Sequence, residues 1–231
     1  MFYYGLDPTM LIILPGLILA LIAQMKVSGT FAKYSKVASK RGWTAAAMAE
    51  DMLSRGGLDV VVERVAGSLS DHYDPRTGTL RLSDSVYGST SIAALGVAAH
   101  EVGHAFQHYE RYAPLGLRNA IVPAANIGSH AAVPLFILGM ILSLPGLMWL
   151  GIAVFALAVV FSLISLPVEL NASARALAAL EQGGYLDYLE DRDAGRVLKA
   201  AAWTYVASAL TAVLQLLRLL ALAGVGSRRR D

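Results

Sequence analysis

The run Asn119-Ala120-Ile121-Val122-Pro123 through Leu163-Ile164-Ser165-Leu166-Pro167-Val168, bounded by Arg118 and Glu169, holds 50 residues without one Asp, Glu, Lys or Arg. A helical crossing of a bilayer takes about 20 apolar residues, so this length fits two crossings and a short turn. Leu144-Pro145-Gly146 supplies a turn signal near its middle. An even number of crossings returns the chain to the side it left, so Glu169 should emerge in the compartment occupied by the residues before Arg118. The whole chain agrees with a membrane protein: 231 residues, 56% hydrophobic and 16% charged, are too apolar for an ordinary soluble domain.

Upstream of the run stands His100-Glu101-Val102-Gly103-His104, led in by Ser91-Ile92-Ala93-Ala94-Leu95-Gly96-Val97-Ala98-Ala99. Two histidines four apart on a helix project from one face, so their imidazoles can converge on one Zn²⁺ while the intervening glutamate faces the open coordination position. Zinc brings the pKa of a bound water to about 7, and a carboxylate in reach can take its proton and later pass it to the leaving amine. A surface helix that happens to carry His and Glu is the plainer reading, but such a helix has polar neighbours, and the nine residues before His100 carry no charge. This helix is expected to be buried. Burying two imidazoles and a carboxylate without partners costs several kcal/mol, whereas a metal satisfies both rings.

Net charge of +2 and the absence of basic residues interleaved with aromatics argue against nucleic acid. The chain has no cysteine, which excludes disulfides and thiolate ligands, so a metal must be held by His and carboxylates.

Toward the N-terminus, the 18 residues Pro8 to Met25 are uncharged and just long enough to span. The only charge before them is Asp7, while Lys26, Lys33, Lys36, Lys40 and Arg41 follow. That order fits an uncleaved anchor at residues 1–25 with its N-terminus outside, and places the next segment in the cytoplasm. Residues 26–118, with 11 basic and 9 acidic side chains, read as the polar domain. Thr44 can cap a helix over Ala45 to Ser54 that Gly56-Gly57 closes. Val60 to Val65 and Tyr73 to Leu82, the latter with a turn at Asp74-Pro75-Arg76-Thr77-Gly78, read as strands. A sheet with an open edge in this position could bind substrate backbone by strand addition; a purely structural hairpin fits the sequence equally well. Ser89, Thr90 or Ser91 can cap the metal helix, which should end near Tyr109 or Glu110.

Downstream, residues 119–168 form the membrane hairpin, and Pro167 should kink the second helix. Residues 169–199 are polar again, with a helix ending near Gly183-Gly184. Ala200 to Leu217 is a candidate fourth span within 200–227. It places Arg228-Arg229-Arg230 outside, against the positive-inside tendency. The expected fold is thus mainly α: multi-pass membrane helices carrying a small α+β, zincin-like domain.

His100-Glu101-Val102-Gly103-His104 with its Ala-rich lead-in, Ser70-Asp71-His72-Tyr73-Asp74-Pro75-Arg76 and Pro167-Val168-Glu169-Leu170-Asn171-Ala172-Ser173 together resemble the YugP-type family of membrane zinc metallopeptidases, over nearly the whole chain. More distantly, HExxH followed by a membrane hairpin and a Glu at the membrane edge is similar to the HtpX-type and CAAX-prenyl-type membrane proteases. That resemblance implies proteolysis with the later Glu as third zinc ligand. Those relatives carry an Asp four residues after that Glu, where this chain has Ser173, and a hydroxyl orients a histidine less firmly than a carboxylate.

The residues themselves also point to Glu169. Catalytic zinc wants three protein ligands and one open position. His108 continues the row of His100 and His104, but three histidines along a straight helix span about 12 Å and cannot share one ion. A tight turn to a nearby ligand would need Gly at 107 and a ligand at 110; the chain has Gln107 and Glu110. His130, with Asn126, falls inside a predicted span, where interhelical hydrogen bonding explains both about as well as function does. Glu169 is the first acid after the uncharged run. Glu110 and His130 stay open as alternatives. His72 could bind substrate but reads better as a surface residue, and Arg175 could orient a substrate carboxylate or pair with an acid.

Three function classes remain. A membrane-anchored zinc endopeptidase of gluzincin type, with Glu101 as base and then acid and a peptide or protein as substrate, fits best. An intramembrane-cleaving protease normally draws an Asp ligand from a later span, and no Asp occurs between Asp84 and Asp187. A non-enzymatic zinc-binding adaptor would have no need of Glu101.

Overall fold

The structure is a computed structural model that describes residues 8–228, with side chains to residue 224. Asp7, Arg229 and Arg230, whose charges entered the topology argument, lie outside the described residues. The chain is mainly helical with a small three-stranded sheet: α1 (Met10–Tyr34), α2 (Ala45–Arg55), β1 (Val61–Val65), β2 (His72–Asp74), β3 (Thr79–Ser83), α3 (Ile92–Tyr109), α4 (Ala113–Ile141), α5 (Pro145–Gly183) and α6 (Tyr188–Arg228). Four of the described helices, α1, α4, α5 and α6, are long and apolar enough to cross a membrane. The chain divides into two compact units.

The first unit takes in the chain up to Ala23, Leu117–Leu166 and everything from Thr204 on. Its helices pack through glycines: a Cβ at Gly128 would lie 2.7 Å from the Val154 carbonyl oxygen, and one at Gly151 would lie 2.8 Å from that of Ala132. Such close backbone approach is how helices associate where lipid removes the hydrophobic drive between them. Large apolar side chains such as Leu138 and Trp149 remain exposed, as a lipid-facing surface requires. The turn between α4 and α5 falls at residues 142–144, slightly earlier than expected. Ser143 takes the left-handed conformation there, and Pro145 serves as the first residue of α5, where its fixed φ and missing N–H are tolerated.

The second unit holds Gln24–Gly116 and Pro167–Trp203. Helix α2 is capped by Thr44, whose hydroxyl accepts from Ala47 N at 3.3 Å, and Gly57 follows its end with φ of 69°. The sheet order is β1-β3-β2, with β1 parallel and β2 antiparallel to β3, so β2 is an edge. The central strand's Leu80 and Leu82 are fully buried together with Met48, Leu53, Ile92, Leu95 and Val102 from α2 and α3. On α5 the stripe Val168, Ala172, Ala176 and Leu180, spaced by four, is also fully buried. Pro167 sits inside α5 and does not end it. Helix α1 likewise continues past the last uncharged residue, Met25, to Tyr34.

Candidate metal centre

Helix α3 begins at Ser91, whose hydroxyl accepts from Ala94 N at 3.2 Å, and its Ala- and Gly-rich first half is buried on nearly all sides. Small side chains let a neighbour come close. At Gly103, between the two histidines of the motif, an added Cβ would lie 2.4 Å from the carbonyl oxygen of Ala172 on α5. No side chain larger than hydrogen fits there without moving backbone. This approach carries Glu169, one turn before Ala172, to the imidazoles.

His100, His104 and Glu169 each offer a ligand atom, and the three atoms lie within 4.8 Å of one another. Oε2 of Glu169 stands 3.2 Å from Nε2 of His100 and 3.5 Å from Nε2 of His104. The carboxylate is 3% exposed, so its charge depends on what these rings present to it. Both rings turn Nε2 inward and give Nδ1 to an outer partner. Ser173 Oγ lies 3.1 Å from Nδ1 of His100, and Oε1 of Gln107 lies 3.0 Å from Nδ1 of His104.

The tautomer at His104 follows from a chain of forced donors. Arg175 can only donate, and its Nε meets Oδ1 of Asn171 at 2.7 Å. That oxygen therefore faces a donor from Gln107, whose Nε2 reaches it at 2.9 Å and also donates to the Val168 carbonyl at 2.8 Å. Gln107 is fully buried with its amide so fixed, and its oxygen must accept from His104 Nδ1–H. Nε2 of neutral His104 then aims a lone pair at a buried carboxylate, an arrangement that calls for a cation between them. A proton can fill that place: burial pushes the His104 pKa down, but hydrogen bonding to Glu169 and the charges of Glu101 and Glu169 outweigh it, and the net direction is upward. Two nitrogens and a carboxylate oxygen, with the far nitrogens held by outer hydrogen bonds, are also the donor set that zinc takes.

Glu101 points elsewhere. Its Oε2 accepts the backbone N–H of Tyr73 on edge strand β2 at 3.0 Å. The strand is anchored for this: Asp71 accepts from Ser83 N at 2.7 Å and from its hydroxyl at 3.0 Å, and Asp74 closes the following turn by accepting from Arg76 N at 3.0 Å. His108, one turn beyond His104, meets the Tyr73 hydroxyl through Nδ1 at 2.9 Å and stays out of the cluster.

The other sequence candidates lie apart. His72 is an exposed strand residue whose Nδ1 is 2.8 Å from the Ser70 carbonyl. Glu110 forms an ion pair with Arg175 at 2.7 Å. His130 Nδ1 contacts the Asn126 carbonyl within its own helix at 2.8 Å. Sequence reasoning passed over Gln107 and Asn171. The available signal was a lone amide three residues after His104 on a helix expected to be buried, and such an amide must have a partner.

Residues 9–224 match the model of a family described as "Putative neutral zinc metallopeptidase". The chain is 49% identical over 197 residues, 85% of its own length and 88% of the other's, to a Bacillus subtilis (strain 168) protein named "Putative membrane protease YugP". No solved structure matches it.

Proposed function

The chain belongs to this zinc metallopeptidase family, and from that premise we propose that it is a membrane-anchored, zinc-dependent endopeptidase with His100, His104 and Glu169 as metal ligands and Glu101 as the proton-transferring residue. The observation that carries the reading is the convergence of two inward Nε2 atoms on a buried carboxylate, beside a second carboxylate that is not part of the cluster. Zinc, when bound, would supply Lewis acidity toward the substrate carbonyl and toward water. The chain's own residues do the rest. Ser173 and Gln107 keep both imidazoles presenting Nε2. Glu101 takes the proton of the attacking water and delivers it to the leaving nitrogen, while the Tyr73 N–H fixes the carboxylate's position without neutralising it. An extended peptide passing the outer side of edge strand β2 would bring its carbonyls to Glu101, with the Tyr73 N–H kept for the carboxylate.

We assign residues 1–25 to the first anchor, 119–168 to a membrane hairpin and 200–227 to a fourth crossing. Residues 26–118 and 169–199 then face the cytoplasm, because the basic residues follow the first apolar run instead of preceding it. A reporter fused after Arg41 or within Gly183 to Asp193 should behave as cytoplasmic, and labelling of either loop by an impermeant reagent from outside would overturn the assignment.

The enzyme reading is tested by Glu101→Gln. The variant should keep zinc and fold while losing at least about 10²-fold in peptidase rate. Equal rates in purified wild type and variant would refute it.

A further inference from the structure

Within the second unit, a groove of about 630 Å³ is lined by Lys26, Gly29, Lys33 and Tyr34 of α1 and by Arg196 and Lys199 of α6. Four cations face one space. Asp193 accounts for one of them, pairing with Arg196, which also donates to the Tyr34 hydroxyl at 3.0 Å. Among the described residues, Lys26, Lys33 and Lys199 have no carboxylate partner. Lys26 instead sits 5.7 Å above the Trp203 ring and Lys33 sits 4.9 Å above that of Tyr34. A Cβ added at Gly29 would meet nothing within 4 Å, so the wall there is open. Like charges gathered in this way repel one another unless an anion joins them.

The level of the groove along the chain identifies the anion. Lys26 is the first charge after the uncharged run Pro8 to Met25, and Lys199 is the last before Ala200 to Leu217. On both helices the cations therefore stand where apolar chain gives way to polar chain, the depth of lipid headgroups. Trp203, half exposed at that level, has the amphipathic ring that favours the interface, and Met25, next to Lys26, is 59% exposed. A basic recess at such a depth suits a phosphate that carries acyl chains.

We propose that this groove is a binding site for the phosphate of an anionic phospholipid headgroup. It is independent of the metal centre and of the peptidase reading. Scattered lysines at a membrane edge would also attract anionic lipid, but without regard to position, and this separates a site from a diffuse field.

Native mass spectrometry of the full-length protein, with phosphatidylglycerol and phosphatidylcholine of matched acyl chains, tests it. The wild type should retain phosphatidylglycerol preferentially. Lys26→Gln/Lys33→Gln/Lys199→Gln should lower that preference at least about tenfold, and Lys199→Gln alone about fivefold. Replacing the same three lysines by Arg should preserve it, as should a charge-matched variant with exposed Lys36, Arg76 and Arg192 changed to Gln. Millimolar glycerol 3-phosphate should not displace the lipid. Absence of preference in the wild type, equal loss in the charge-matched variant, or full displacement by glycerol 3-phosphate would each overturn the proposal, the last by making it a site for a soluble anion.

Discussion

Helices α3 and α4 are both apolar and nearly uncharged, yet they are built for different surroundings. In α3, 11 of 18 residues are buried, most of them Ala or Gly. In the most apolar window of α4 only 22% of residues are buried, and Leu138 and Ile141 stand exposed. Apolar character alone does not identify a membrane span. Residue size does more: Ala and Gly let protein close in on all sides, as at Gly103 and Ala172, while Leu, Ile and Phe on an open face suit lipid tails. In α3 the closeness of packing is what holds the three candidate ligand atoms together.

The contrast is broken most directly by truncating one leucine in each helix. Leu95→Ala, in the fully buried face of α3, should cost about 2–5 kcal/mol, because it leaves a cavity. Leu138→Ala should stay within about 0.5 kcal/mol, since lipid can fill the space. Thermal unfolding in nanodiscs compares them, and similar losses would mean that α4 packs against protein as tightly as α3. A smaller but more local effect is expected at glycines. Gly103→Ala should destabilise by about 1–3 kcal/mol and lower zinc content, because Ala172 backbone must retreat and take Glu169 with it. Gly116→Ala, where nothing lies within 4 Å of the added methyl, should be neutral or slightly stabilising.

Below these come the outer partners of the proposed ligands. Gln107→Leu should weaken zinc binding by about 10–100-fold, as measured by chelator competition, and Ser173→Ala should lie at or below the lower end of that range because its hydroxyl can rotate away. Equal, negligible effects would mean that Nδ1 partners do not set ring orientation. The smallest effect is on pH. Burial lowers the His104 pKa, but hydrogen bonding to Glu169 and the nearby carboxylate charges raise it overall, so a proton competes for the position proposed for zinc. Zinc affinity should climb as pH rises through that raised value, and binding below it should release a proton. Titration calorimetry in buffers of different ionisation enthalpy reads the proton count. By the same linkage, protonated His104 stabilises the metal-free fold at low pH, and that contribution is lost as pH rises through its raised pKa.

What could be read from the sequence was local or set by charge. Thr44, Gly56-Gly57 and the run Ser89-Thr90-Ser91, of which Ser91 is the cap, mark helix ends through contacts that act within four residues, and Asp74 to Gly78 marks its turn in the same way. The nearness of Glu169 to the motif was legible because 50 uncharged residues allow an even number of crossings. The hydrogen-bonded chain from Arg175 to His104 was not legible, since it joins Gln107 to residues 61 and 64 positions away and depends on the close approach at Gly103. Helix α1 runs on past the uncharged stretch because the residues after Met25 change only polarity, and polarity does not stop a helix.

We propose a zinc site whose ligands are split between α3 and α5. Elemental analysis of purified Glu169→Ala beside His104→Ala tests it with fewest assumptions, because zinc content needs no substrate. Both variants should lose zinc to the same extent, as two members of one three-ligand site. Full zinc occupancy in Glu169→Ala with loss in His104→Ala would contradict it and return the third-ligand role to Glu110 or His130.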